Sequence, residues 1–317
     1  METSFKILLG TDYSEAVMNA ERYAVQFAKK TSSSLEILHV FDAPLSPALV
    51  PHDEENVELN SFEIEQERLQ NHTAELLTTL KISPQDLNYN CAIRQGSTGM
   101  QICQEAKEEQ VDFITVGTHG VNGFKEFFIG SHTWDVIKMS EVPVLVVPED
   151  GRFTDIRTIV YSTEYHQEEI PIINFISKLA ERFGADLTIV HVTNYSLSKE
   201  FEGELFERFA QEVRDTVTYS RMQIRMAYYE DLVKGLHDFC LKEKADWLAM
   251  PTGKSTLMEK IFTPFTNMTR RMVFHTHIPI LVIPDFFFSK KQASMEMEEE
   301  EDLSEYSGRE FEGVSFI

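Results

Sequence analysis

Short apolar segments alternate with longer amphipathic stretches along this chain. In its first half, the apolar segments are residues 5–10, 34–41, 87–93, 111–116 and 142–147. Segments of this length and composition are typical of buried strands, and the stretches between them are long enough for helices with one buried face. Strands that alternate with helices in this way predict right-handed crossovers and a parallel sheet. The fold class is therefore α/β and flavodoxin-like, with a five-stranded parallel sheet and helices on both faces.

The second half of the chain repeats this pattern. Residues 179–192 match residues 27–40 without a gap, and residues 236–250 and 278–284 repeat the segments that precede Gly117 and form the last strand. Internal duplication of this kind predicts two tandem domains of one fold. We expect the domains at residues 1–149 and 150–284, followed by an acidic tail at residues 285–317. A solvated tail whose apolar end docks is favoured over a dedicated docking segment.

Glycines follow the predicted fourth strand at a defined spacing. The loop reads Gly117-Thr-His-Gly120, then nine residues, then Gly130-Ser131. Glycine permits a positive φ and a close approach of the backbone to a bound group. A helix that begins at Gly130-Ser131 would add N–H donors and the positive end of its dipole, which suits a phosphate. The spacing fits neither G-x-G-x-x-G nor G-x-x-x-x-G-K-[ST], so a dinucleotide fold and a P-loop are not predicted.

The spacing Gly-x-x-Gly, nine residues, Gly-Ser resembles the ATP-binding signature of the universal stress protein family. The opening segment of residues 7–14, the Leu-His-Val of residues 38–40 and the closing segment of residues 142–148 lie where that family has them. The resemblance implies that the first domain binds ATP or a related adenine nucleotide, with or without Mg²⁺. It covers roughly the first half of the chain, and the repeat extends it to the second.

The residues implied in nucleotide binding lie at predicted strand ends and in the glycine loop. They are Thr11, Asp12, Val40, Val116, Gly117, His119, Gly120, Gly130, Ser131 and His132. The resemblance places the loop glycines and Ser131 on the phosphates, and Asp12 and Val40 near the ribose and base. By position alone, Asp12 is as well explained as a cap of the following helix. His119 and His132 lack a carboxylate partner at a recognisable spacing, so no metal site is predicted.

The second half does not repeat the loop chemistry. The replacements are Pro251 for Gly117, Lys254 for Gly120, Thr163 or Glu164 for Asp12, and Pro264-Phe265 or Thr266-Asn267 for Gly130-Ser131. Proline lacks an N–H donor, and the other replacements bring a Cβ into space that a phosphate would need. We therefore expect nucleotide in the first domain only. The Gly-Lys-Ser-Thr of residues 253–256 is interpreted as a chance likeness to a P-loop.

Composition and charge exclude several classes of partner. The net charge of −23 argues against nucleic acid, because duplex binding relies on basic side chains that neutralise phosphates. The sequence has no apolar run of membrane-spanning length and no signal-peptide pattern, so a cytoplasmic protein without membrane contact is expected. Cys91, Cys103 and Cys240 are scattered, which predicts reduced cysteines without a disulfide or thiolate metal site.

The leading hypothesis is a cytoplasmic universal stress protein that binds ATP in its first domain and acts in stress signalling. The family resemblance implies that the second domain is a pseudo-dimeric partner paired through the last strand, with a homodimer of chains possible in addition. One alternative is a slow ATPase or phosphotransferase, for which Asp12 is the evident Mg²⁺ ligand. Another is a nucleotide-free interaction module that acts through its tail. No nucleophile and base can be paired in the sequence, so catalytic residues are not predicted.

Overall fold

A computed structural model describes residues 4–41, 54–118, 131–195, 198–252, 269, 271–272 and 277–284, without the side chains of residues 54–60 and 131. Within these ranges, the chain is an α/β protein built on one ten-stranded sheet. Helices pack on both faces of the sheet, as the fold-class prediction requires.

Strands β1 to β5 belong to the first half of the chain, and β6 to β10 to the second. Their bounds are β1 Lys6–Thr11, β2 Ser34–Phe41, β3 Asn88–Gln95, β4 Phe113–Gly117, β5 Val144–Val147, β6 Thr158–Ser162, β7 Asp186–Thr193, β8 Met222–Tyr228, β9 Trp247–Pro251 and β10 Ile280–Ile283. The helices are α1 Glu15–Thr31, α2 Glu54–Thr79, α3 Thr98–Glu108, α4 Ser131–Met139, α5 Ile170–Phe183, α6 Lys199–Thr216 and α7 Leu232–Glu243.

The strand order is β3-β2-β1-β4-β5-β10-β9-β6-β7-β8. Within each half, every neighbouring pair is parallel, and both halves have the order 3-2-1-4-5 when their strands are counted along the chain. The halves meet at an antiparallel pair, β5 with β10, in which Leu281 lies opposite Leu145. This arrangement confirms the predicted flavodoxin-like fold and joins the two halves into a single sheet.

The core has two layers, one on each face of the sheet. Successive strand residues point to opposite faces, so Ile7 and Leu9 of β1 enter one layer and Leu8 enters the other. Each layer contains buried side chains from both halves of the chain. The two halves therefore share their apolar burial instead of having separate cores.

Aromatic side chains connect the halves across the first of these layers. The indole N–H of Trp247 on β9 donates a 2.6 Å hydrogen bond to the Tyr23 hydroxyl on α1. The rings of Phe27 on α1 and Phe183 on α5 lie with their centroids 5.5 and 5.6 Å from that of Trp247. Burial raises the pKa of Tyr23, so its hydroxyl stays protonated. A polar contact between residues far apart in sequence thus lies inside an apolar cluster.

In the part of the chain that the structure describes, no helix is both long enough and apolar enough to cross a membrane.

Replacing Tyr23 with Phe should destabilise the protein by about 1–3 kcal/mol, because it leaves the buried Trp247 N–H without its acceptor. Urea unfolding followed by tryptophan emission in a Trp134→Phe background, and in parallel by circular dichroism, measures this change. The matched control is Tyr228→Phe, since Tyr228 is 54% exposed and its loss should cost little. Equal stability of the two variants would contradict the proposed connection.

Candidate functional site

The carboxyl ends of the neighbouring strands β1 and β4 lie side by side, along the edge of the sheet that the strand ends form. Ile7 pairs with Phe113 and Leu9 with Thr115, which brings the strand ends Thr11 and Gly117 close together. From β1 the chain crosses over to β2 on one side, whereas β4 lies on the other side. This is the point at which the strand order reverses, and open α/β sheets bind ligands in the crevice formed there.

The turn after β1 is fixed by hydrogen bonds to Thr11. Its carbonyl oxygen lies 2.9 Å from Nδ1 of His39 on β2. Its hydroxyl accepts a 3.1 Å bond from the Tyr13 N–H and donates to Oε1 of Glu21 on α1. Oδ1 of Asp12 accepts a 2.9 Å bond from the Ser14 N–H. Asp12 is thereby held at the surface, immediately before the start of α1.

Tyr13 adopts a conformation that bulky residues seldom take. Its φ is 62°, in the left-handed region, so the surrounding contacts must compensate for the strain. Its ring lies 4.3 Å from the His39 ring and 5.1 Å from the His72 ring, centroid to centroid. The Arg68 guanidinium lies 4.5 Å above the same ring. Burial, followed by the nearby Glu65 carboxylate, raises the pKa of Tyr13.

Two buried polar atoms of this turn have no hydrogen-bond partner among the described residues. They are the Tyr13 hydroxyl and the Ser14 Oγ. Buried polar groups are nearly always paired with protein, water or ligand, so these two atoms have capacity for partners beyond the described residues. A cavity of about 570 Å³ opens beside Tyr13, with Arg68 and His72 of α2 on its wall.

Gly117 has a packing role that its sequence pattern does not indicate. It lies in β4 and does not adopt the left-handed φ that glycine permits. A Cβ built on Gly117 would lie 3.3 Å from Cα of Val17 and 3.4 Å from Cβ of Ala20. The missing side chain therefore allows α1 to pack closely on the end of β4.

Helix α4 begins beside the end of β4. The hydroxyl of Thr133, in its first turn, donates a buried 2.9 Å hydrogen bond to the Gly117 carbonyl oxygen. This bond fixes the N-terminus of α4 at the same sheet edge as Asp12. The N-terminal N–H groups and dipole of a helix favour anions.

The structure describes seven of the ten candidate residues. Thr11, Val116 and Gly117 are buried at strand ends, Asp12 and His132 are exposed, and Val40 is half-buried near the end of β2. Ser131 is the first residue of α4. His119, Gly120 and Gly130 lie outside the described residues, as do residues 253–256, 264–267 and the tail.

The turn after β6 repeats the turn after β1. The Thr163 carbonyl oxygen lies 2.8 Å from Nδ1 of His191, and the Thr163 hydroxyl accepts from the Tyr165 N–H at 2.9 Å. Tyr165 also has a left-handed φ, 54°, and its ring lies 4.2 Å from that of His191. The counterpart of Asp12 is therefore Glu164, which resolves the two alternatives left by the sequence.

A second hydrogen bond that occurs in both halves aligns their sequences beyond the loop that follows β4 and β9. Thr269 donates its hydroxyl to the Pro251 carbonyl at 3.2 Å, as Thr133 does to Gly117. Counting back along the sequence from Thr269 makes Thr266-Asn267 the counterpart of Gly130-Ser131. The insertion in the second half consequently falls before residue 266.

Carboxylates crowd the second turn. Burial raises the pKa of both Glu164 and Glu169, and the Glu169 Oε1 accepts from the N–H groups of Glu164 and His166 at 3.0 and 3.1 Å. A hydrogen bond to Glu164 raises the pKa of His166. The second turn therefore has Glu164 and the buried Glu169 side by side, whereas the first has Asp12 and the buried Glu21.

Sequence reasoning missed the polar residues on α1 and α2. Glu21 is 1% exposed, and both its carboxylate oxygens lie within 3.0 Å of His72 Nε2. Glu21 shares the apolar stripe of Val17, Ala20 and Ala24 on α1. A charged residue in such a stripe must be paired when it is buried, and that was the available signal. His72 carries no comparable signal, because its pairing with Glu21 depends on how α1 and α2 pack against each other.

No cluster of three or more metal-ligating side chains occurs within the described ranges. The three cysteines are free thiols.

The strand order and the crevice at its reversal define a flavodoxin-like α/β protein. The model of the universal stress protein family matches residues 4–148. A universal stress protein of Methanocaldococcus jannaschii is 30% identical over 151 residues, which cover 45% of this chain and 93% of the relative. The chain belongs to the universal stress protein family.

Two further comparisons agree with this assignment. A universal stress protein of Bacillus subtilis is 29% identical over 149 residues, covering 45% of this chain and 97% of the relative. A crystal structure of a universal stress protein from Archaeoglobus fulgidus superposes with a TM-score of 0.59 at 16% identity, covering 88% of this chain and 96% of that one. The latter likeness shows the fold alone.

Replacing Gly117 with Ala should destabilise the protein by about 1–3 kcal/mol, because the new methyl group would press on the α1 backbone at Val17. The matched control is Gly203→Ala in α6, where a Cβ meets nothing within 4 Å. That change should stabilise the helix by about 0.5–1 kcal/mol. Urea unfolding of the three proteins measures both effects, and an unperturbed Gly117→Ala would contradict the packing explanation.

Proposed function

We propose that the first half of the chain binds ATP, or a related adenine nucleotide, at the carboxyl ends of β1 and β4. The observation that supports the proposal is that the Asp12 turn and the N-terminus of α4, anchored to Gly117, follow the adjacent carboxyl ends of β1 and β4. The Gly-x-x-Gly, nine-residue, Gly-Ser spacing supplies the choice of ATP.

The proposed roles follow the chemistry of each group. The N–H groups at Ser131 and His132 and at the loop positions Gly120 and Gly130 would receive the phosphates. Asp12 is exposed, and a carboxylate can accept several hydrogen bonds, so it would accept from a ribose hydroxyl in addition to the Ser14 N–H. Thr11, Val40 and Val116 would border the base and sugar, and His119 would line the phosphate site.

The second half is proposed as a structural partner. We divide the chain into domains at residues 1–149 and 150–284 and assign the antiparallel β5 and β10 pairing the role of a pseudo-dimer interface. In the second half, Pro251 and Lys254 replace Gly117 and Gly120, which supports nucleotide binding in the first half only. The nucleotide would thus bind to one half only. The protein would be cytoplasmic and would act in stress signalling.

Isothermal titration of the full chain with ATP, with and without Mg²⁺, tests the proposal directly. Absence of heat under both conditions would contradict it. Phosphate release that scales with protein concentration would instead favour the slow ATPase.

Asp12→Asn should weaken ATP binding about fivefold to tenfold, because a neutral amide oxygen accepts a ribose hydroxyl less strongly than a carboxylate does. Asn retains the acceptor for the Ser14 N–H, so the turn should survive. The matched control is Glu164→Gln at the equivalent position of the second half, which should leave the affinity within about twofold. An Asp12→Asn protein that binds like the native chain would contradict this role of Asp12.

Thr133→Val should weaken ATP binding at least about threefold, because it removes the hydroxyl that holds α4 against Gly117 while conserving side-chain shape. Thr269→Val removes the equivalent hydroxyl in the second half and should leave binding unchanged. Calorimetry of both variants at one pH compares them. Equal loss in the two would show that the effect is general destabilisation.

A further inference from the structure

A buried ion pair lies behind the Asp12 turn. Glu21 on α1 is 1% exposed, and His72 Nε2 on α2 lies 2.9 and 3.0 Å from its two carboxylate oxygens. Thr11 donates its hydroxyl to the same carboxylate. A buried carboxylate is costly unless it is paired and hydrogen-bonded, so the charge state of His72 matters to this whole contact.

The contact continues into the turn itself. The Thr11 hydroxyl that donates to Glu21 also accepts the Tyr13 N–H at 3.1 Å. Tyr13 in turn has its ring edge against His72, with centroids 5.1 Å apart. The position of Asp12, between Thr11 and Tyr13, therefore depends on where Glu21 and His72 hold their neighbours.

Several other charged groups face this contact. Arg68 and Glu75 flank His72 on α2 itself, and Glu21 faces it from α1. Near the Tyr13 ring, His39 of β2 lies 3.7 Å from Glu65, and Cys91 of β3 is also close. The hydrogen bond to Glu21 is the largest influence on His72 and raises its pKa above 6.5.

The second half also has a buried carboxylate behind its turn, but there the hydrogen-bond donors are neutral. The buried carboxylate there is Glu169, which accepts from the Tyr161 hydroxyl at 2.9 Å and from backbone N–H groups of Glu164 and His166. These donors do not change charge near neutral pH. The carboxylate paired with an imidazole in the second turn is instead Glu164, whose partner is His166.

We propose that Glu21 and His72 are positioning residues for the nucleotide site, with protonated His72 holding the Asp12 turn in its binding geometry through Glu21 and Thr11. The inference rests on the proposed function, since it concerns the same site. Its consequence is pH dependence of a defined sign. Because the folded pKa of His72 is raised, its stabilisation is complete below about pH 6.5 and is lost as the pH rises through the folded pKa.

The first experiment is calorimetric titration of the full chain with ATP between pH 6 and pH 9. The ratio of the ATP affinity of the native chain to that of His72→Gln at the same pH should fall about threefold to tenfold across this range. The affinity of His72→Gln should be weak at every pH. Comparison at equal pH cancels the titration of the nucleotide phosphates. The matched control is His166→Gln, which removes another carboxylate-paired histidine and should reproduce the native profile.

The second experiment needs no nucleotide. Hydrogen exchange of the Tyr13 and Ser14 amides is measured in the native chain, His72→Gln and Glu21→Gln at pH 6. Both variants should exchange faster than native, and Glu21→Gln should lower the His72 pKa seen by NMR. Glu21→Gln also serves as the second route to the result if His72→Gln fails to fold.

The outcomes separate the two proposals. ATP binding with one pH profile in the native, His72→Gln and Glu21→Gln proteins would overturn the positioning inference while leaving nucleotide binding intact. Failure of the native chain to bind ATP, with faster amide exchange in the variants, would overturn the proposed function and retain the link from His72 to the turn. Native-like exchange in both variants would overturn that link.

Discussion

Thr11 ends a strand inside the protein, where every polar atom must find a partner. Its carbonyl meets His39, and its hydroxyl serves both the Tyr13 N–H and the Glu21 carboxylate. Those partners come from β2, from the following turn and from α1. The hydrogen bonds of Thr11 therefore fix how β1, β2 and α1 pack together, and they position Asp12 at the surface.

The same constraint operates after β6, with a different chemical result. Thr163, Tyr165 and His191 repeat the framework closely, down to the left-handed tyrosine. Glu164 replaces Asp12, and the buried acid Glu169 is served by neutral donors. The same backbone geometry thus accommodates different side chains after β1 and after β6. The two halves remain tied by a shared sheet and core, so divergence of the second edge need not weaken the first.

Packing explains features that a motif describes only as spacing. Gly117 belongs to the glycine pattern, yet the group that needs its missing side chain is helix α1, at Val17 and Ala20. Close packing of that helix holds the start of α1 near the end of β4. This glycine therefore sets how closely a helix and a strand approach each other.

The sequence by itself determined the elements, their alternation and the duplication, because apolar periodicity and turn residues act over short distances. It also identified Asp12 and the glycine loop as the candidate site, since motif spacing is local. Only the tertiary structure decided that Glu164 is the counterpart of Asp12, that Gly117 packs against α1 and that His72 pairs with Glu21. Those relations join residues on separate elements, and their partners are selected by the packing of helices and strands in space, which no short-range pattern specifies.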